Sequence, residues 1–449
     1  MAAEPAPPQD DALEAFAHHF GRPWHKSYAA CGFLISSAAS EVKSRANLTK
    51  ESAMTTRKEV YIVSAARTAV GSFGGTLSTI PATKLGSITI AEAVKRAGIP
   101  ADAIGEVYMG QVLTGAVGQA PARQAALGAN IPVSVPCNTI GKVCGSGLQT
   151  VILGSRALAL GECDAVVAGG MENMSMAGYA LNQARYGYRM GNGQMIDMMV
   201  NDGLWDVYNN IHMGMCCDLT AKEENVSRKD QDDYAVASYT RAQKATSEGL
   251  NKSEIVAVPI PQKKGEPMMF VQDEGPKVFN EEKMRALKPA FNKDGGTVTA
   301  GNASSINDGA AAFVLASEDA VKKHNLKPRA RVVSWGFGAV EPKRFPVAPV
   351  TAIKNALSAG KLSAKDIHFW EVNEAFAVVT LLAMRAFDLS LAQVNPLGGA
   401  ISIGHPIGGS GARVLTTLLN VLELNKAKYG LATLCIGGGE GNALIVERV

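Results

Sequence analysis

The sequence predicts an α/β protein made of two duplicated halves with a large insertion between them. Three observations carry that prediction. From Val60 onward, short β-branched runs such as VYIVSA, AVVAGG and ATLCIGGG alternate with Ala/Leu-rich stretches of helical composition. The chain also repeats itself: Gly145-Ser146-Gly147 opens a helical run leading to AVVAGGMEN, and Gly409-Ser410-Gly411 opens one leading to TLCIGGGEGN. Between them, from about 176 to 305, Met, Asn, Gly and Tyr become frequent and the alternation fades, which marks an insertion carrying binding loops.

Composition agrees with a large globular chain. A length of 449 residues suits two or three domains. With 47% hydrophobic residues, 19% charged and 46 glycines, the chain is rich in tight turns and is not a disordered polymer. A net charge of +3 without blocks of like charge points away from nucleic-acid and polybasic membrane partners. The longest nearly apolar stretches, such as Phe376 to Met384, reach about half of the roughly 20 residues that a membrane span needs.

Seven scattered cysteines without CxxC spacing predict free thiols and a reducing, cytoplasmic setting. Residues 1–56 stand apart, beginning Pro/Ala-rich and ending near Met54 and the basic pair Arg57-Lys58. Glu4, Asp10, Asp11 and Glu14 are unusual in transit peptides, so a disordered tail or an overextended reading frame is expected ahead of a mitochondrial targeting segment.

Four positions invite chemistry, and each alone admits two readings. Cys144, in NTIGKVCGSG, sits where a helix should begin. The helix's positive end is expected to lower its thiol pKa and make it a nucleophile, although a lone cysteine is as readily inert core. His405, in GHPIGGSGAR, has glycines clearing space around its ring; it is either an acid/base partner or a structural loop histidine. Cys435, in LCIGGGEGN, is a proton shuttle or core filler. Asn373, in EVNEAFA, is a carboxamide that holds a water or a helix cap. The Gly437-Gly438-Gly439 run leads into a β-like segment and not a helix, so a phosphate loop is disfavoured.

Taken together, VCGSG, NEAFA, GHPIGGSGAR and CIGGGEGNA resemble the motif set of the thiolase family, in order, from about residue 58 to the end. VSAARTAVGSFGG from Val63, GQAPARQA from Gly118 and TAGNASSINDGAAA from Thr299 belong to the same likeness. The resemblance implies a thiolase fold: two βαβαβαββ halves forming a five-layer αβαβα core. Residues 57–175 would be the N-terminal domain, completed by about 306–326. Residues 176–305 would be a loop domain binding coenzyme A, and 327–449 the C-terminal domain.

The resemblance also implies roles. Cys144 becomes acylated, His405 activates it and forms one oxyanion hole with a water held by Asn373, and Cys435 exchanges protons. A second hole uses the N–H groups of Cys144 and Gly437. The implied reaction is ping-pong condensation of two acetyl-CoA to acetoacetyl-CoA and coenzyme A, without a tightly bound cofactor. The alternatives are a broader-range 3-ketoacyl-CoA thiolase and a non-catalytic acyl-CoA or lipid binder on the same scaffold.

DVYNNIHMG (206–214) is similar to the short-chain members, whose methionine crowds the acyl pocket; this gives Tyr208, His212 and Met213 a place near the ligand. The competing reading makes Trp205, Tyr208, His212 and Met213 one apolar helix face. By the same likeness Lys283 and Ser304 contact coenzyme A, with Arg285 and Lys288 as phosphate neighbours. Tyr208 and the carbonyls of Ala300, Gly301, Ala303 and Ile401 would bind a potassium ion. His212, Cys216 and Cys217 lack a fourth ligand, so no zinc is assigned. A homotetramer or homodimer is expected.

Overall fold

The structure is a computed structural model and describes residues 58–449. The expectations for residues 1–56 fall outside the described residues. The strands that carry the fold are β1 (Val60–Thr68), β2 (Glu106–Gly110), β3 (Cys137–Ile140), β4 (Ala165–Asn173), β5 (Asn307–Ser317), β6 (Ala330–Ala339), β7 (Phe369–Val372), β8 (Tyr429–Ile436) and β9 (Glu440–Arg448). The helices that matter here are α1 (Ala82–Ala97), α2 (Pro121–Gly128), α3 (Ser146–Leu160), α4 (Met213–Glu223), α5 (Arg228–Ser247), α6 (Ala348–Gly360), α7 (Ala377–Phe387), α8 (Ala400–Ile403) and α9 (Ile407–Leu424).

The strands run in the order β7-β8-β9-β6-β1-β5-β4-β2-β3. Within the first half, β1–β5 and β5–β4 are antiparallel while β4–β2 and β2–β3 are parallel. The second half copies this, with β6–β9 and β9–β8 antiparallel and β8–β7 parallel. A parallel bridge from Trp370 to Val394 stands where β3 would pair. The halves are thus duplicates, and the short β1–β6 pairing at Tyr61–Arg331 and Ile62–Ala330 joins them into one sheet.

Helices α1 and α2 cover the outer side of the first half, α6 covers that of the second, and α3 and α9 lie between the halves, giving five layers. Burial follows that plan. Strand β5 is buried at every residue, as a central strand with an unbroken small-apolar sequence should be. In α9 every residue from Ile407 to Leu422 is buried. Residues 143–160 are apolar and long enough to cross a membrane by length and composition, and the fold spends that apolarity on the central layer.

Helices α3 and α9 meet through their repeated glycines. A Cβ on Gly147 would lie 2.6 Å from the backbone nitrogen of Ala412, and one on Gly411 would lie 2.3 Å from that of Leu148. These reciprocal contacts define a local pseudo-twofold axis beside Cys144. Only glycine permits backbones to approach this closely.

The inserted region differs from the loop-rich expectation. It contains α5, a 20-residue helix. Its sequence, RKDQDDYAVASYTRAQKATS, is polar on most sides and so gives little apolar period. Local chemistry sustains it instead: a Ser227/Asp230 capping box and the i,i+4 ion pairs Arg228–Asp232 and Lys229–Asp233.

Candidate active site

Cys144 follows Val143, whose φ of +42° is a left-handed conformation that β-branched residues avoid. Helix α3 begins two residues later, as the sequence requires for a cysteine at a helix start. The expected low thiol pKa does not follow. Burial pushes the Cys144 thiol up to about 12, outweighing the opposing hydrogen bonds from the N–H groups of Gly437 and Cys144 itself. At rest the group is a neutral thiol, because desolvation of a thiolate here costs more than the helix end returns.

His405 lies between α8 and α9, where its N–H donates to Asn307 Oδ1 at 2.9 Å. Its Nδ1 is 2.6 Å from Ser410 Oγ, and that hydroxyl donates to the Pro406 carbonyl at 2.9 Å. With its one proton committed to Pro406, Ser410 accepts from Nδ1–H. The lone pair of His405 is therefore on Nε2, which has no hydrogen-bond partner among the described residues. Burial, aided by the nearby Arg413 charge, holds the ring down at about 3, so it is a neutral base.

Cys144, His405, Gly437 and Met213 line one cavity of about 560 Å³. Ala375 and Phe376 line it from the loop after β7, and that same loop carries Asn373. Both amide atoms of Asn373 are buried without a partner among the described residues. Asn373 is not the cap of α7, which starts at Ala377 behind Phe376. The next residue, Glu374, fixes the loop by accepting from Tyr234, Ser238, Asn395 and the Ile401 N–H at 2.7–3.1 Å.

Gly437 closes the opposite wall. A Cβ there would sit 3.4 Å from Val143 and 3.7 Å from the Met213 sulfur, filling space that the bare glycine leaves to a ligand. Cys435, at the end of β8, is fully buried behind this wall, and burial together with the nearby Cys144 keeps its thiol protonated.

Residues 205–213 correct the helix-face reading. Trp205–Asp206 pairs with Ile211–His212 as a hairpin, because Asp206 caps the turn through the Tyr208 N–H and the Asn209 amide. His212 then caps α4, accepting the Gly214 N–H, and stacks on Phe291 with centroids 4.6 Å apart. His212 lines the cavity, whereas Tyr208 is 73% exposed and does not.

Ser304 lines the main cavity with its hydroxyl donated to the Ala375 carbonyl, and Lys283 lines a second hollow of about 210 Å³ with Ala300 and Gly301. Arg285 is committed to Glu281 and Asp233. The carbonyls of Ala300 and Gly301 accept no hydrogen bond from the protein among the described residues. Ala303 lines the main cavity, and Ile401 is buried.

Several residues that shape the site sat unassigned inside motifs already read. Ser410 sets the His405 tautomer and Asn307 anchors its backbone. Glu172 accepts the N–H groups of Val112, Leu113 and Gly408, binding the start of α9 to the first half; burial raises its carboxyl to about 7. The serine of the second Gly-Ser-Gly, five residues after the histidine of a Gly-His-Pro, was the available signal for Ser410.

A protonated thiol, a neutral imidazole with a free lone pair and an unpartnered carboxamide, gathered between duplicated α/β halves, are groups that suit an acyltransferase. Two family models match the chain: the thiolase N-terminal domain over residues 60–319 and the thiolase C-terminal domain over 326–448. The chain belongs to the thiolase family. It is 49% identical over 395 residues to a mitochondrial acetyl-CoA acetyltransferase of Xenopus tropicalis, covering 88% of this chain and 93% of that one. It is 50% identical over 391 residues to an acetyl-CoA acetyltransferase of Cupriavidus necator, covering 87% and 99%. A crystal structure of the Bacillus anthracis acetyl-CoA acetyltransferase superposes with a TM-score of 0.85 at 37% identity, covering 88% of this chain and all of that one. An Ascaris suum thiolase in complex with coenzyme A superposes at 0.83 and 42% identity, covering 87% and 100%.

Proposed function

We propose that this chain is an acetyl-CoA acetyltransferase that condenses two acetyl-CoA to acetoacetyl-CoA and coenzyme A, reversibly, through acetyl-Cys144. The observation that carries the reading is the pairing in one cavity of the Cys144 thiol with an imidazole whose Nε2 is free.

Both groups being neutral, attack and proton transfer are coupled. As the Cys144 sulfur bonds to the thioester carbonyl, its proton passes to His405 Nε2, and the N–H groups of Cys144 and Gly437 receive the developing oxyanion. Coenzyme A leaves as the thiol, taking its proton from Cys435, while His405 keeps the one it received from Cys144. In the second half-reaction the Cys435 thiolate formed by that transfer removes an α-proton from a second acetyl-CoA. The resulting enolate oxygen is held by His405 Nε2–H and a water on Asn373, its carbon attacks the acetyl group, and the Cys144 sulfur leaves, regaining its proton from His405. Met213 narrows the acyl end toward two- and four-carbon chains. Ser304, His212 and Lys283 mark the path of the coenzyme.

The carbonyls of Ala300, Gly301, Ala303 and Ile401 with the Tyr208 hydroxyl would hold a potassium ion, which would supply positive charge beside the coenzyme. A homotetramer, or a dimer, is the proposed assembly. A cytoplasmic setting is the proposed location, free thiols fit any reducing compartment, and the Xenopus relative is named mitochondrial; imaging the chain with and without residues 1–56 separates the two.

The deciding test is acetyl incorporation from labelled acetyl-CoA. Cys144→Ser should abolish it, and acyl-enzyme persisting in that variant sinks the proposal. A chain-length series of 3-ketoacyl-CoA substrates, with and without potassium, separates this reading from a broad-range thiolase, since efficient long-chain cleavage contradicts the role of Met213.

A further inference from the structure

The left-handed Val143 has to be held in place, and the ties that hold its turn come from both halves. Within the first half, Ser146 Oγ donates to the Val143 carbonyl at 2.7 Å and accepts the Lys142 N–H at 2.8 Å. From the second half, Asn442 Nδ2 donates to the Gly145 carbonyl at 3.1 Å, and Glu440 pairs with the Lys142 ammonium. Lys142 is two residues ahead of the nucleophile. Glu440 ends the glycine turn that starts at Gly437, with Gly438 and Gly439 at φ +88° and +87°. The other end of that turn presents the Gly437 N–H to the Cys144 thiol.

We infer that Lys142 and Glu440 are a positioning pair: across the boundary between the halves, they set the separation of the Cys144 and Gly437 N–H groups that receive the oxyanion. The inference rests on the acyl-transfer reading above. Neither side chain lines the cavity, so neither is a ligand contact. Their exposures, 23% and 44%, make the pair a minor contributor to folding. The glycine turn is closed at its base by the Ile436–Glu440 pair and its Gly439 carbonyl accepts the Val340 N–H at 2.7 Å, while Lys142–Glu440 and Asn442–Gly145 are the ties that join this frame to the strained turn. Oxyanion donors must be held to within about 0.5 Å of the productive geometry to act.

The test uses the full chain with Lys142→Met, the near-isosteric Glu440→Gln, and the reversal Lys142→Glu with Glu440→Lys. Each is read by kcat and KM for acetyl-CoA, acetyl-Cys144 by mass spectrometry, and melting temperature. The single variants should lose about 10- to 30-fold in kcat while KM stays within about twofold, the mark of an interaction used in the transition state. Melting should move by no more than about 2 °C, and the reversal should regain at least about threefold in kcat over either single variant. Unchanged kcat, a rise in KM alone, or a kcat loss that tracks melting with no recovery on reversal each overturns the inference. A wild-type chain that never forms acetyl-Cys144 overturns the functional reading and this inference with it. A chain that acylates normally but is indifferent to these variants overturns this inference alone.

Discussion

Replacing Ser410 with alanine tests the catalytic base without touching a residue that faces the substrate. In the folded chain Ser410 Oγ accepts Nδ1–H of His405 at 2.6 Å and spends its own proton on Pro406. Without the hydroxyl, His405 has two courses. It keeps its tautomer with a buried, unpaired N–H, at about 1–3 kcal/mol. Alternatively the proton moves to Nε2, which relieves Nδ1 and removes the lone pair that receives the Cys144 proton. At about 1.4 kcal/mol per tenfold, disfavouring the competent tautomer by that amount relative to the other lowers its population, and kcat with it, by roughly 5- to 150-fold. Ser410 does not line the cavity, so KM for acetyl-CoA should stay near the wild-type value. Steady-state condensation kinetics, with a burst assay for acyl-enzyme, measure this directly. A correctly folded Ser410→Ala enzyme with kcat within about twofold of wild type would refute the tautomer argument.

Three further outcomes follow from the same geometry. With the Cys144 thiol held up at about 12 and His405 down at about 3, the pair is neutral through the physiological range. Iodoacetamide should therefore alkylate Cys144 about tenfold faster per pH unit across roughly pH 6 to 9, since the thiolate fraction rises that way below its pKa; a plateau below pH 7 would reveal a resting thiolate–imidazolium pair. Asn373→Ala removes two buried, unpartnered polar atoms, so by calorimetry the variant should be at least as stable as wild type while kcat drops by about 10²–10³; full activity would remove Asn373 from the oxyanion site. Gly147→Ala drives a methyl group into the Ala412 backbone and should cost about 1–3 kcal/mol in denaturant titrations along with most of the activity, whereas a neutral effect would mean that α3 and α9 can separate freely.

Much of this was legible in the sequence because the fold is a duplication written in glycines. The two Gly-Ser-Gly segments fall within the first turn or so of α3 and α9, and the crossing of these helices brings Cys144 and His405, far apart in the chain, to one cavity. Local signals failed where tertiary burial decides. A helix start argues for an acidic thiol, but whether water reaches the sulfur is set by residues from the other half, and desolvation wins. Positions 205, 208 and 212 have helical spacing, yet Asp206 turns the chain and makes a hairpin. Helix α5 lacks an apolar stripe and declares itself only through its cap and charge pairs.

The crossing of α3 and α9 sets Cys144 of the first half against Gly408 of the second: aligning the Gly-Ser-Gly turns makes these two equivalent positions. Two separate but identical subunits meeting at such an axis would be obliged to present the same side chain from both sides. They would offer either two competing thiols or none. Joining the copies in one polypeptide lifts that obligation, because each position then answers to its own codon. One copy is free to carry the reactive sulfur, while the other keeps the space open and supplies the imidazole from three residues upstream. Division of labour at the centre of this molecule is thus a property that covalent linkage of the halves permits and that a symmetric pair is denied.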